Sequence, residues 1–199
     1  MDTKDRIERA AETLIRKNGV SGLTMRGLAA EASVALKTPY NLYGSKTAVL
    51  IALLNQATSA LMTALAADES SFSLGKLFSA LDCLEEFYGA DETYYRSIFW
   101  AVMTSDHPEE RSAAHANIVE LVTLMVNEAL SARELKQQAN AKDLGEQLGL
   151  NLLANMGSWA GGHLSIKDTV KHTKSVWLAL LLPYASKKSV AGLKAIQLS

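Results

Sequence analysis

The chain has 199 residues, a mass of 21.5 kDa and an apolar fraction of 48%, which is enough for a hydrophobic core. A single cysteine, Cys83, excludes a disulfide-stabilised secreted scaffold, and 3 prolines with 21% charged residues argue against a disordered chain. The net charge of −1 is unevenly distributed, since residues 1–50 carry +3 and the remainder −4, which favours an anionic partner for the first segment.

Apolar residues recur at three- and four-residue spacing along nearly the whole chain, and no long segment alternates with period two. This periodicity predicts an all-α protein. The first apolar stripe, from Ile7 to Ile15, is followed by Asn18 and Gly19, two residue types that tolerate the left-handed conformation found at helix ends. We therefore expect the first helix to end there.

Two short helices are predicted next. Thr24 is a suitable N-cap for a helix that reaches Ala32, because its hydroxyl can accept a hydrogen bond from a free backbone amide. A second short helix is expected at about 36–42. Gly44 then breaks the chain, and Ser45 is the predicted N-cap of a long fourth helix.

The remainder of the chain also has helical periodicity. Helices are predicted at about 74–89, 92–105, 108–132, 141–164 and 168–186. Pro108 gives the clearest start, since proline is tolerated in the first helical turn and acidic residues follow it. We expect residues 187–199 to form one further turn or to fray.

Two stretches without formal charge, 47–67 and 147–166, are long enough to test as membrane spans. Both contain amide and hydroxyl side chains that lipid would leave without partners, so we interpret them as buried or interface helices and expect no membrane partner. The amino terminus lacks the apolar segment of a signal peptide, which predicts a cytoplasmic location.

Residues 24–43 have the spacing of a helix-turn-helix motif, in which the second helix enters the DNA major groove. Its second helix carries polar groups that can reach base edges or phosphates: Lys37, Thr38, Tyr40, Asn41 and Tyr43. Lys46 opens the next helix, where its charge and the free amides can hold a phosphate. An ordinary helical hairpin has the same spacing, so these residues by themselves leave both interpretations open.

The run LTMRGLAAEASV at 23–34, followed by YNLYGSK at 40–46, resembles the DNA-binding domain of TetR-family (tetracycline-repressor-type) transcriptional regulators. The resemblance covers residues 3–54 at the level of motifs and continues as all-helical architecture to the end of the chain. It implies a three-helix DNA-binding domain at 1–50 and a helical effector-binding and dimerisation domain at 51–199.

The resemblance also implies which residues contact double-stranded DNA. Phosphate contacts would come from Thr24, Tyr40 and Lys46, and Arg26 with residues 36–41 (Leu36 first among them) would face bases or nearby phosphates. Three positions depart from the usual pattern: Ser33 replaces a glycine, Ala35 replaces a capping serine or threonine, and Pro39 replaces an aliphatic residue. Ser33 would strain the turn unless it adopts the left-handed conformation. Pro39 is expected to shift the helix start to about Thr38, which would then be the cap.

A homodimer would double the few phosphate contacts of one module and read a palindrome with half-sites about 34 Å apart. The best dimer candidates are the last two long helices. One has a Leu144, Leu148, Leu152 stripe beside four glycines, and the other has Trp177 and Leu181. A core belonging to this chain alone would produce the same stripes, so both interpretations remain open.

Six large or polar side chains in the carboxy-terminal part are candidates for an effector site: Tyr94, Trp100, Met103, Asn155, Trp159 and His163. Such residues also occur in ordinary cores. The family resemblance implies that a small-molecule effector shifts the dimer to a spacing that mismatches the DNA grooves, which would release it.

The sequence lacks a nucleophile elbow, a His pair at zinc-ligand spacing and a glycine-rich phosphate loop, so we expect no enzyme, metal or cofactor. The favoured function is a one-component transcriptional regulator, typically a repressor. The alternative is an all-helical small-molecule-binding or protein-interaction module without a role at DNA.

Overall fold

The computed structural model describes residues 2–67 and 72–197, and this part of the chain is α-helical without a β-strand. The predicted all-α class is therefore confirmed. The helices are α1 (Thr3–Gly22), α2 (Met25–Glu31), α3 (Lys37–Tyr43), α4 (Lys46–Ala67), α5 (Ser73–Gly89), α6 (Glu92–Met103), α7 (Pro108–Ser131), α8 (Ala141–Ala160), α9 (Ile166–Leu181) and α10 (Lys187–Gln197). A 3₁₀ turn, Leu182–Tyr184, follows α9.

We refer to residues 2–50 as the head. Its helices pack around a small apolar core that includes Ile7, Leu28 and Val49, each fully buried. This core also takes in three side chains of α6, among them Ile98, so the head is packed directly against α6. The helix α4 continues from the head into the rest of the molecule without a break.

We refer to the described part of residues 51–197 as the body. Its core surrounds two buried indoles, Trp159 on α8 and Trp177 on α9. The Trp177 Nε1 donates to the Leu148 carbonyl oxygen over 3.1 Å, which fixes α9 against α8. Burying these large rings removes much apolar surface from water and stabilises the body.

The apolar stripes predicted for the dimer are largely this chain's own core. Leu144, Leu148 and Leu152 are buried within the body, as are Trp177 and Leu181. Gly145 and Gly149 of α8 allow this helix to approach α7 closely. A Cβ built on Gly145 would lie 2.5 Å from the Thr123 Cα of α7, so only glycine allows α7 and α8 to approach this closely.

Several helix ends differ from the prediction. The helix expected at 168–186 spans Ile166–Leu181 and is followed by the 3₁₀ turn. The helix predicted to reach 164 ends at Ala160, because the chain turns at Gly162, which has a φ of 80°. The segment expected to form one turn or to fray is instead the helix α10, since its Leu193 is fully buried in the body core. In α1, the expected end at Gly19 is a kink with a φ of 69°, after which helical structure continues to Gly22.

None of the helices within residues 2–67 and 72–197 combines the length and the apolar character needed to cross a membrane.

Candidate nucleic-acid interface

The turn between α2 and α3 has the geometry of a helix-turn-helix connection. Thr24 caps α2, as predicted, because its Oγ1 accepts a hydrogen bond from the Gly27 amide over 3.0 Å. Ser33 adopts a φ of 52°, which is the left-handed one of the two alternatives open for the residue in the place of glycine. The Val34 amide donates to the Ala29 carbonyl oxygen over 2.9 Å and closes the turn.

Arg6 on α1 holds this turn, a role that the sequence analysis missed. Its Nη2 donates to the carbonyl oxygens of Ala32 and Ser33 over 2.6 and 2.9 Å. Both carbonyls lie at the end of α2, where backbone acceptors lack helical partners and a cation is favourable. Nothing in the local sequence signals this contact, since Arg6 is one of several basic residues of an amphipathic helix and its partners are 26 and 27 residues away.

The second helix of the motif begins at Lys37, and the expected start at Thr38 was wrong. Leu36 is the N-cap, and no side chain caps the helix. The Thr38 amide already donates to the Ala35 carbonyl oxygen over 2.8 Å, so Thr38 lies within the first turn. Pro39 follows in the first turn and is buried. Its missing amide costs no hydrogen bond, because an amide in the first turn of a helix has no helical partner.

One surface of α3 faces solvent. Leu36 and Tyr40 are 46% and 51% exposed, and Lys37 and Asn41 are exposed beside them. The other predicted contacts also lie at the surface of the head: Thr24 and Arg26 at the start of α2 are exposed, and Thr38 is partly exposed. The structure thus leaves these side chains accessible to a partner.

Tyr43 is oriented toward α1. Its hydroxyl donates to Glu8 Oε1 over 2.8 Å, and the Gln56 amide donates to Oε2 of the same carboxylate over 2.8 Å. Desolvation, with the adjacent Glu8, raises the pKa of Tyr43 far above its usual range. The Tyr43 hydroxyl therefore joins α3 to α1, and it would have to leave Glu8 to reach a phosphate.

Two side chains, those of Ser45 and Lys46, fix the start of α4. Ser45 caps the helix, as predicted, by accepting from the Ala48 amide over 3.0 Å, and its hydroxyl donates to the Glu110 carboxylate of α7. The Lys46 ammonium donates to the Val20 carbonyl oxygen near the end of α1 over 2.6 Å. Burial lowers the pKa of Lys46, because the charged ammonium loses water.

An ion pair joins the head to α6. The Arg16 guanidinium of α1 forms an ion pair with Asp91 and lies 4.3 Å from the centre of the Tyr94 ring. The hydrogen bond from Arg16 lowers the pKa of Asp91, and the same pairing raises the pKa of Arg16. Asp91 also accepts from the Tyr94 amide and so caps α6.

Three of the six effector candidates are engaged in the packing of the chain. Tyr94 is buried beneath Arg16. Trp159 is fully buried, and its Nε1 donates to Glu92 Oε1 over 2.9 Å. Asn155 is partly buried and donates to the Thr173 hydroxyl of α9 over 3.0 Å.

The other three candidates lie near the molecular surface. Trp100 and His163 are exposed, and both lie beside Gly161, where a Cβ would be 3.3 and 3.2 Å from their rings. Met103 is partly buried, with its sulfur 3.3 Å from His115 Nε2. Three of the six candidates therefore take part in core contacts, and the other three lie near the molecular surface. In the part of the chain that the structure describes, no three His, Cys, Asp or Glu side chains are grouped to hold a metal ion.

The comparisons with known proteins are structural. No protein-family model matches the sequence, and no curated protein matches it. The fold is similar to that of FadR of Thermus thermophilus, described as a TetR-family transcriptional repressor in complex with lauroyl-CoA, with a TM-score of 0.69 and 21% identity over 88% of this chain and 93% of that one.

Two further structures show the same likeness. FadR of Bacillus subtilis, in complex with stearoyl-CoA, has a TM-score of 0.65 and 16% identity over 89% of this chain and 97% of that one. FadR of Bacillus halodurans, described as a fatty acid degradation regulator, has a TM-score of 0.64 and 16% identity over 87% of this chain and 96% of that one.

Proposed function

We propose that this chain, which has the fold of TetR-family transcriptional regulators, is a homodimeric repressor that binds palindromic DNA through its head and responds to a small molecule through its body. The observation that carries the proposal is the exposed surface of α3, with Lys37, Tyr40 and Asn41 accessible beside a closed helix-turn-helix turn. Such a helix fits the major groove and is a common reader of DNA sequence.

The proposed division of labour within the head follows from the chemistry of each side chain. Asn41 suits a bidentate contact to adenine, and Lys37 suits the acceptor atoms of guanine. Tyr40, Thr24 and Arg26 have hydroxyl or guanidinium groups for phosphates at the edges of the groove. Lys46 would place its positive charge near the DNA phosphates while it keeps its hydrogen bond to the Val20 carbonyl oxygen.

Tyr43 receives a different role in the proposal. Because its hydroxyl is held by Glu8, we assign it to the orientation of α3, with any contact to DNA made by the ring. The proposed domains remain residues 1–50 for DNA binding and 51–199 for effector binding and dimerisation. We propose a cytoplasmic location and no catalytic activity.

The dimer is proposed to form through the outward faces of α8 and α9. These helices pack against each other, and they leave Leu150 and Val176 exposed. Some exposed positions near them are small, namely Ala154, Ser175 and Ala179, whereas Glu146, Gln147 and His172 are larger exposed neighbours. Two copies joined there would form a four-helix arrangement and carry two heads.

The effector is proposed to bind the body. Two similar structures hold lauroyl-CoA and stearoyl-CoA, which makes an acyl-CoA the first compound to test. A ligand that favours a head spacing unsuited to successive major grooves would release DNA by shifting the population of the two forms.

The experiment that tests the function is selection of bound duplexes from a random pool by the purified full-length protein. The expected result is a palindromic consensus with half-sites about one helical turn apart. Affinity for the selected duplex should fall log-linearly as the salt concentration rises, because Lys and Arg contacts release counterions. Loss of measurable duplex binding at low salt would contradict the proposal.

Substitutions separate the proposed roles. Lys46→Ala is expected to weaken all duplexes alike, whereas Asn41→Ala and Lys37→Ala should relax the preference for individual bases by about 1–3 kcal/mol. Lys188→Ala is the matched control, since Lys188 is exposed on α10, outside the head and outside the two helices proposed for the dimer. Fluorescence anisotropy with the consensus and with single-base variants gives both quantities.

A further inference from the structure

A cleft of about 460 Å³ lies between the head and α6, which places it within the size range of small-molecule sites. One wall belongs to the end of α1 and the start of α4, including Val20, Lys46 and Leu50, and the other belongs to α6 and the residues after it, including Trp100 and Ser105. The six effector candidates contribute only Trp100 to the lining. The cleft is therefore distinct from the body site assumed above.

The charge of the cleft favours an anion. Among the described residues that line it, Lys46 alone is charged. Within the described chain, Lys46 forms no ion pair, and its bond to the Val20 carbonyl uses one of its three N–H groups. Burial lowers its pKa because the charged ammonium loses water, and the ion pairs of the described chain give it no compensating negative charge. A bound carboxylate would supply that charge.

The other wall favours a flat apolar group. The Trp100 side chain is 49% exposed, although large apolar residues are normally covered, and it lies on the cleft with Leu50 and Ala101. An aromatic ring stacked on the indole would remove both surfaces from water.

A polar group within the cleft is also without a partner. The Ser105 Oγ is buried and has no hydrogen-bond partner within residues 2–67 and 72–197. Buried hydroxyls are normally satisfied, so the Ser105 Oγ lacks a hydrogen bond that a polar group of an occupant would supply. The Ser105 backbone is fixed, because the Arg111 guanidinium donates to its carbonyl oxygen.

We propose that this cleft is a binding site for a small aromatic carboxylate, with the carboxylate on Lys46, the ring against Trp100 and a polar substituent within reach of Ser105. The site joins the head to α6, so an occupant changes the contact between the DNA-binding and effector-binding parts. Binding itself requires neither DNA nor the dimer, and its failure is therefore distinguishable from failure of the proposed function.

The test is calorimetric titration of the full-length protein with 2-naphthoate and, separately, with its uncharged isostere 2-naphthamide. The expected result is binding of naphthoate at least about tenfold tighter than naphthamide, since a hydrogen bond to a charged group contributes more than one to a neutral group. Lys46→Met should abolish this difference, and Trp100→Ala should weaken both compounds. Lys142→Met, at an exposed lysine of α8, should leave both affinities unchanged.

A second variant keeps the test independent of the folding of Lys46→Met. Ala101→Phe places a ring in the cleft without changing its charge, and it should prevent binding of both compounds. Circular dichroism monitors the helical content of each variant. The proposal is overturned if wild-type protein binds neither compound up to millimolar concentration, if it binds both equally, or if naphthoate binding survives Ala101→Phe.

Discussion

The Arg6 guanidinium donates to the Ser33 carbonyl oxygen over 2.9 Å, and Ser33 has a φ of 52°. This hydrogen bond and the one to Ala32 join the first helix to the turn. The positive φ of that turn costs free energy at any residue that has a Cβ. The orientation of α3 therefore depends on a contact from outside the helix-turn-helix segment. The strain at Ser33 gives a direct test.

Ser33→Gly is expected to stabilise the protein by about 0.5–1 kcal/mol, because glycine adopts positive φ without the clash of a Cβ. Urea denaturation at neutral pH measures the free energy of unfolding. The matched control is Ala30→Gly, at an exposed position of α2 with ordinary helical geometry, which should destabilise by a similar amount. Destabilisation by both substitutions would show that Ser33 carries no strain.

The ion pair between Arg16 and Asp91 predicts a pH dependence. Pairing with Arg16 lowers the pKa of Asp91 below its ordinary value of 3.8. Its contribution to stability is therefore complete above about pH 4 and is lost as the pH falls through the lowered pKa of the folded state. Both side chains are partly exposed, so the pair is worth only about 0.2–1 kcal/mol.

Asp91→Asn tests this contribution. At pH 6 we expect the variant to be less stable than the wild type by an amount in that range, and the difference should diminish below pH 4. Urea denaturation between pH 3 and 6 measures it, and Arg16→Gln in both backgrounds gives the coupling between the two residues. A difference that is constant across this pH range would contradict the assignment, since the Asp91 cap of α6 survives in the asparagine variant.

Local signals in the sequence predicted much of the fold. The caps at Thr24 and Ser45 and the proline start of α7 depend on residues a few positions apart, and each was found in the structure. The extent of α10 was missed, because burial of Leu193 in the body core outweighs the polar character of the last segment. The end of α8 was placed too late, because the turn at Gly162 was not recognised.

The candidate site was predictable to a smaller extent. The exposure of Tyr40 and Asn41 follows from the helical period, since the buried face of the head is apolar. The contacts of Arg6, Tyr43 and Arg16 span 26 or more residues in sequence and leave no local trace. The same holds for Gly145 and Gly149 of α8, whose close neighbours are Thr123 and Val119 of α7.

Leu36 predicts a contact to thymine. It precedes α3, it is 46% exposed, and an apolar side chain at a base edge is matched by the thymine methyl group. Replacing each thymine of the selected duplex by uracil, one position at a time, removes only that methyl. One position per half-site is expected to lose affinity by severalfold in the wild type and to show no loss in Leu36→Ala. Equal losses in both proteins would place the methyl contact elsewhere.

Leu150 and Val176 give a test of the dimer. Both are exposed on the outward faces of α8 and α9, at 53% and 38%. The other large apolar residues of these two helices are buried or partly buried in the body. If these faces meet in a symmetric dimer, Leu150→Glu places two carboxylates in the interface and removes apolar contact, so the substitution is expected to weaken association by at least about tenfold. Val176→Glu should act in the same direction.

Sedimentation velocity over a range of protein concentrations measures the dissociation constant of each variant. Leu42→Glu is the control, because Leu42 is 51% exposed on α3, far along the chain from the proposed interface. A dimer that is weakened by Leu42→Glu and unaffected by Leu150→Glu would place the interface on the head. If Leu150→Glu yields a folded monomer, its affinity for a single half-site should equal that of one wild-type head. Its tight binding to the full palindrome should be lost, because that binding depends on two heads that one rigid dimer holds at a high effective concentration.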